Sequence, residues 1–524
     1  ETQGKADVAS AWSIKSHTIL AAHQSLHDGI VLEHVANPDL AIRKNNDSFV
    51  DDTDAGSAKR GETFEESEML TVMHAQRGAQ IWTELIDGTG GAIAYHKSDW
   101  QIQAWLTGTF PPKLKERSKY SIVLRDRYGA HHTINQLASS APNKGLGVHM
   151  APSGQQQSEF EFRRDQCKQI TERVRGKRLP SHYAESMLNT RIIPKTTYSM
   201  AITSFSEKEC HKLNTIVNRV MLNQLRLNQS TPLAMLYSSY SYGGLEYPSF
   251  QVIQDQKGIM LFLKHLRWNG TVGTDILVVL SAIQLISGSC VPIMEDVSSP
   301  IPCGANGWIT HLRRRLAAMD GSIWIEREWT PHEQRLNDQS IVRSFDANPR
   351  LTAADKEKAN FCRLFSKCIT YADLADATGR WIPPGRLNGR WQCNSSIVWP
   401  DIPLPPPSYW QAYRRCIRTT VTSMTRPGRI NELMPFTPPL GPWVLTDRHV
   451  VHDAYRNATH AYLREGDHFI EYHSPRNRIF RRGQQVPTLP PLTHPIDART
   501  EADELWTSQE YTIVRPPMRT VRSF

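Results

Sequence analysis

Apolar residues recur at helical spacing in several stretches of the chain. Val72, Ala75, Ala79, Trp82 and Ile86 fall three or four residues apart, the period of one buried helix face. From about 159 to 228 the pattern is mostly helical: Ser206 and Glu209 have capping-box spacing, and Leu213, Ile216, Val217, Val220, Met221 and Leu225 follow on one stripe. Leu277 to Ile286 is a further apolar run, and Trp308, Leu312 and Leu316 predict an amphipathic helix with Arg313 to Arg315 on its basic side. The first hundred residues instead mix strand-like and helical patterns around an acidic turn. Beyond Pro300 prolines crowd in, at Pro383 and Pro384, Pro403 to Pro407, Pro438, Pro439, Pro442 and Pro487 to Pro495, and break the last third into short elements. No internal repeat is visible. The pattern predicts an α+β chain in which a mixed segment precedes a helical one.

Composition bounds the reading. A chain of 524 residues with 39% hydrophobic and 22% charged residues is globular and long enough for two or three domains. No apolar run reaches the ~18 residues that a membrane span needs. Eight cysteines form no Cys-x-x-Cys pair, against a zinc knuckle or a disulfide framework, and reduced thiols in the nucleus or cytoplasm are expected. The net charge of +9 is a mild bias toward nucleic acid. Its distribution is sharper. Six basic residues stand against two acidic from Lys113 to Tyr128, among them Lys113, Lys115, Arg117 and Lys119. Seven stand against two from Arg163 to Arg178, among them Arg163, Arg164, Arg173, Arg175, Lys177 and Arg178. Any one cluster is as well explained by a solvated helix face, and together they are candidate contacts to a nucleic-acid backbone.

The candidate chemistry lies in Ser48-Phe49-Val50-Asp51-Asp52-Thr53-Asp54. A short apolar step into adjacent carboxylates suits a β-hairpin with the acids at its tip. Hard oxygen ligands on a rigid turn are what two divalent cations need for in-line nucleotidyl transfer. An exposed acidic turn would look the same. A calcium loop does not fit, because Gly56 falls one place early and Thr63 stands where the twelfth-position Glu belongs.

In company with its neighbours the turn resembles the signature of reverse transcriptases of the non-LTR, LINE-like retrotransposon kind, an aromatic, any residue, then Asp-Asp. The helical stripe at Val72 to Ile86 matches the palm helix that packs under the sheet. Gly90-Gly91-Ala92-Ile93 through Lys97 resembles the next motif, in which a lysine protonates departing pyrophosphate, although Lys97 reads equally as a surface lysine. Gln3-Gly4, followed by small residues and Trp12, resembles the end of the template and nucleotide motif. Asn143 to Val148 looks like the element whose Leu146, Gly147 and Val148 brace the primer terminus, and Tyr242-Gly243-Gly244-Leu245-Glu246-Tyr247-Pro248 resembles the stretch after the thumb.

The resemblance implies a partial palm at 1–110, with a β-hairpin sheet and its packing helix. A thumb-like, mainly helical region would follow at 111–270, then a helical region at 271–380 and a Pro-rich, mostly α or irregular region of unknown role at 381–524. Asp51 and Asp52 would ligate Mg²⁺ or Mn²⁺, with Lys97 as candidate acid. The partners would be an RNA template, RNA–DNA or DNA duplex and deoxynucleoside triphosphates, and no membrane. The strand with the family's first catalytic aspartate and the fingers have no counterpart, so an N-terminally truncated polymerase, inactive alone, is expected. The alternative is a non-catalytic nucleic-acid-binding relic. Asp320-Gly321-Ser322-Ile323 superficially resembles the opening strand of an RNase H domain, without the later acids at suitable intervals.

Overall fold

The computed structural model describes residues 18–49, 52–106, 113–145, 147–301, 307–326, 328–335, 337–375, 382–393, 397–422, 440, 448–453, 458–465, 468–473 and 478–482. The fold is α+β, with long helices beside small separate sheets. It divides into two compact units: Glu1–Glu33, Leu40–Ile276 and Ala305–Met319 form the first, and His34–Asp39, Leu277–Gly304 and Asp320–Phe524 the second.

The first unit opens with helix α1 (18–26) and two antiparallel ribbons. Strand β1 (Ile30–Leu32) pairs with β2 (Ile42–Lys44), and β3 (Asn46–Phe49) pairs with β4 (Asp52–Ala55). Helix α2 (Phe64–Gly88) follows. Its start is set by Thr63, whose hydroxyl accepts the Glu66 N–H at 3.1 Å, with Glu65 and Glu66 favourably placed at the positive end of the helix dipole. Val72 is buried, and Ala75 and Ala79 pack with it against Ile102, Ile122, Leu124 and Ile134. Three of the five positions in the predicted stripe thus lie on the packed face. Short strands lead on: β5 (Asp99–Trp100) pairs in parallel with β10 (Asn135–Gln136). The rest are antiparallel: β6 (Trp105–Leu106) with β7 (Lys113–Leu114), β8 (Val123–Arg125) with β9 (His131–Thr133), and β11 (Asn143–Gly145) with β12 (Val148–Met150).

Helices then dominate: α3 (Gln157–Val174), α4 (Ser181–Met187), α5 (Ile193–Thr196), α6 (Glu207–Gln224), α7 (Leu233–Tyr237), α8 (Phe250–Trp268), α9 (Thr271–Ser287) and α10 (Trp308–Ala318). The capping box expected at Ser206 and Glu209 opens α6. Leu213, Val217 and Met221 are buried with Phe160 and Cys167 of α3, while Ile216 and Leu225 pack at the edge of that core. Among the described residues no single helix is long and apolar enough to cross a membrane; α8 and α9 pass that test only as a pair, bent by 108°. Asn269 at φ +51° makes the bend, and a Cβ on Gly273 would lie 2.4 Å from the His265 carbonyl oxygen.

In the second unit α11 (Ile341–Asp346), α12 (Ala353–Phe365), α13 (Tyr371–Leu374) and α14 (Pro407–Thr420) enclose a core around Phe345, Cys362, Tyr371 and Tyr413. Beyond it β13 (Arg448–Asp453), β14 (Ala458–Glu465), β15 (His468–His473) and β16 (Arg478–Arg482) form an antiparallel meander. The sequence suggested mostly helical or irregular structure there because prolines crowd the region, but those prolines lie outside the four strands. Residues 321–325 are not a strand, so the opening element of an RNase H domain is missing at that place.

Three histidines join α1 to α2 and to the base of the β3–β4 ribbon. His23 Nε2 bonds the Gly78 carbonyl at 2.8 Å, and His27 Nε2 bonds that of His74 at 3.0 Å. His27 Nδ1 meets Asn45 Oδ1 at 3.1 Å, and the Asn45 amide donates to the His27 carbonyl. The His27 and His74 rings stack at 4.0 Å, and Trp82 lies edge-on to His23 at 5.6 Å. Gly78 permits the approach, since a Cβ there would come within 2.7 Å of the His27 ring. Burial, with His27 and Lys59 adding to it and Asp28 opposing, lowers the His74 pKa from 6.5 to about 4; burial lowers that of His23 too. Such a histidine binds its proton more readily when unfolded. Its contribution to stability is therefore whole above 6.5 and is lost as pH falls from there toward about 4. Urea midpoints measured at about pH 7 and about pH 5 should drop further for the native chain than for His74→Gln. An equal drop in both would contradict the assignment.

Candidate nucleic-acid interface

The acidic segment forms an antiparallel ribbon whose register sets Phe49 opposite Asp52 and Asp47 opposite Asp54. Asp51 lies outside the described residues. By register and period-two alternation, positions 47, 52 and 54 share one face of the ribbon. Hard carboxylate oxygens are donors suited to Mg²⁺ or Mn²⁺. Among the described residues no three His, Cys, Asp or Glu side chains gather in a metal-binding group.

A second ribbon approaches the first. In β11–β12 the register pairs Gly145 with Val148 and Lys144 with His149, and a Cβ on Gly145 would stand 3.7 Å from an Asp54 carboxylate oxygen. Leu146 lies outside the described residues; Val148 is buried, and Gly147 has φ +78°, a conformation open to glycine at little cost. The Asp-Asp ribbon and the Leu-Gly-Val ribbon, nearly a hundred positions apart in the chain, are thus neighbours.

The Leu-Gly-Val ribbon is clamped to the start of α3. Glu159, fully buried, accepts the His149 N–H at 2.8 Å, its ring Nδ1 at 2.9 Å and the Arg163 Nε–H at 2.5 Å. Burial pushes this carboxyl upward, and the His149 and Arg163 donors outweigh it, holding the group below its usual range. Arg163 also donates to the carbonyls of Gly147 at 2.7 Å and Lys195 at 3.2 Å, and stacks on Phe162 and Tyr198 at 5.1 Å each. Arg163 was expected on a phosphate. It is buried at 4% exposure with its donors spent inside the protein, so it positions the ribbon instead.

The other basic candidates divide by what they meet. Lys115 donates to the buried Glu68 at 2.6 Å and lies over the Phe64 ring, and the exposed Lys119 pairs with Glu65 at 3.4 Å. Arg164 pairs with its neighbour Asp165. Lys113 and Arg117 are exposed. Of the triple arginine on α10, Arg313 is buried and Arg315 is held by Asp255 and Glu207, which removes most of the basic face that the sequence suggested.

Arg173, Arg175, Lys177 and Arg178 are all exposed at the C-terminal end of α3. There Arg175 and Gly176 line an open depression of about 350 Å³ together with Arg219, Asn223 and Gln229 from the end of α6 and just beyond it. Cations at helix C-termini also offset the helix dipole, and that accounts for part of their presence.

Lys97 is exposed at the end of a single turn (Tyr95–Lys97) whose Tyr95 packs against the α2 core. Gln3 and Gly4 lie outside the described residues. Sequence reasoning missed Glu159, His149 and Arg219. The four-residue step from Glu159 to Arg163 at a helix start was a usable signal for the first; nothing local marks the others. No protein-family model, curated protein or solved structure matches the chain.

Replacing Arg163 by Ala leaves Glu159 buried without its guanidinium and should cost roughly 3–5 kcal/mol in urea unfolding. Arg175→Ala should change stability by under about 0.5 kcal/mol. Equal effects would contradict the division between a clamp and an exposed cation.

Proposed function

We propose that this chain is part of an RNA-directed DNA polymerase from a non-LTR, LINE-like mobile element, and that its first unit holds an RNA–DNA or DNA duplex beside the acidic ribbon. The reading rests chiefly on one observation: the ribbon with the Asp-Asp pair and the ribbon with Leu-Gly-Val, recognised separately in sequence, come together at Gly145 and Asp54. Asp51 and Asp52 would hold Mg²⁺ or Mn²⁺, which when bound would polarise the reacting phosphate and neutralise its charge. The clamped ribbon would brace the primer end. Exposed Arg173, Arg175, Lys177 and Arg178, with Arg219, would neutralise backbone phosphates.

A second reading, a nucleic-acid-binding chain without catalysis, keeps the basic surface and dispenses with the metal. It is favoured by the exposed cations Arg173, Arg175, Lys177 and Arg178, which can serve binding with no metal ion. Primer extension on an RNA template that Asp51→Asn abolishes would support the first reading, whereas binding without extension would support the second.

Both readings require phosphate contacts. Duplex affinity should fall with salt at a log–log slope of roughly −0.9 per phosphate neutralised, and replacing Arg173, Arg175 and Lys177 together by Ala should lower the slope's magnitude by roughly 2 to 3. A flat titration, or a slope the triple variant leaves unchanged, would count against both.

A further inference from the structure

In the second unit one backbone carbonyl gathers two cysteines that are distant in sequence. The Ser366 carbonyl at the end of α12 accepts the Cys393 N–H at 2.8 Å and the Cys368 thiol at 3.3 Å. Lys367, at φ +57°, turns the chain so that the Cys368 N–H returns to the Arg363 carbonyl at 3.2 Å, and the Arg363 guanidinium donates to the Cys368 carbonyl at 3.0 Å. The backbone on the Cys368 side is thereby held in place. The Cys368 thiol and the Cys393 N–H therefore meet at one oxygen, which sets the two residues side by side. Cys368 is fully buried, whereas Cys393 packs half-buried against the edge of the same core.

We propose that Cys368 and Cys393 are a reversible redox pair, closed to an intramolecular disulfide by a low-molecular-weight disulfide such as oxidised glutathione. The half-buried Cys393 reacts first. Its thiolate attacks one glutathione sulfur, the glutathione S–S bond breaks, and one glutathione thiolate leaves and takes up a proton. Cys368 then gives up its proton and attacks the Cys393 sulfur, the Cys393–glutathione S–S bond breaks, and the second glutathione leaves as a thiolate that takes up a proton. Two protein thiols are oxidised and one small disulfide is reduced to two thiols. Burial first, and the Cys393 thiol beside it, hold Cys368 far above the usual thiol pKa. It is a poor nucleophile toward anything in solvent and acts on the neighbour already in contact. Cys362 and Cys416, both buried, offer no comparable entry for a small disulfide.

The test uses the full chain, purified reduced, treated with oxidised glutathione, alkylated and digested for mass spectrometry. The expected product is a peptide pair joined through Cys368 and Cys393, two hydrogens lighter than its parts and separated by dithiothreitol. In Cys368→Ser, Cys393 should remain as a glutathione adduct; in Cys393→Ser, Cys368 should stay unmodified. Oxidation should also raise the thermal midpoint of the native chain and leave both variants unchanged. A native chain that stops at the Cys393 adduct, pairs Cys393 elsewhere, or leaves both thiols open to alkylation would overturn the proposal. That measurement needs no variant, so a misfolded substitution does not blunt it.

Discussion

The buried carboxylate of Glu159 is the constraint on which the candidate site depends. A carboxylate removed from water costs several kcal/mol unless charged and hydrogen-bonded partners replace its solvation. Here the partners come from two elements at once: His149 belongs to the β11–β12 ribbon and Arg163 to α3. If the ribbon moved, Glu159 would keep Arg163 of its own helix and lose both bonds from His149. Arg163 then extends the restraint to the Gly147 carbonyl at the turn itself. A short two-stranded ribbon is marginal alone, and this network makes it a fixed surface.

The acidic ribbon is held by different physics. Asn45 and the three histidines tie its base to α1 and α2 through hydrogen bonds and ring stacking. Two anchors of different kind therefore converge on ribbons that meet at Gly145 and Asp54. On the proposed reading this is how a polymerase can keep carboxylates and a primer brace in register: each is fastened to a helix, and the helices carry the packing. Glu159 stands in the first turn of α3 and Arg173 in its last, so the clamp and one of the exposed cations share a helix, while Arg175, Lys177 and Arg178 follow its end.

Helices with a clear apolar period were legible in the sequence. The α2 stripe and the capped α6 are present because 3.6-residue periodicity and a local capping box are both encoded within a few residues. The separate acidic and Leu-Gly-Val segments could also be marked out, since turn chemistry is local. What could not be read was pairing at a distance. Nothing near Arg163 in sequence says that its guanidinium reaches Gly147, and nothing near Lys115 says that Glu68 lies opposite. The basic clusters consequently read as evenly solvated, although Arg163 is buried and Lys115 is paired with Glu68. The meander at 448–482 was missed because its strands are defined by backbone pairing with one another, and the prolines around them pointed to irregular structure.

The most direct measurement of the central claim is photo-cross-linking from a reactive base at the 3′ end of a primer annealed to RNA. If the clamped ribbon and the acidic ribbon form the primer face, adducts should map to residues 143–150 and 46–55. Adducts confined to the second unit, or none above those formed with unrelated basic protein, would contradict the account.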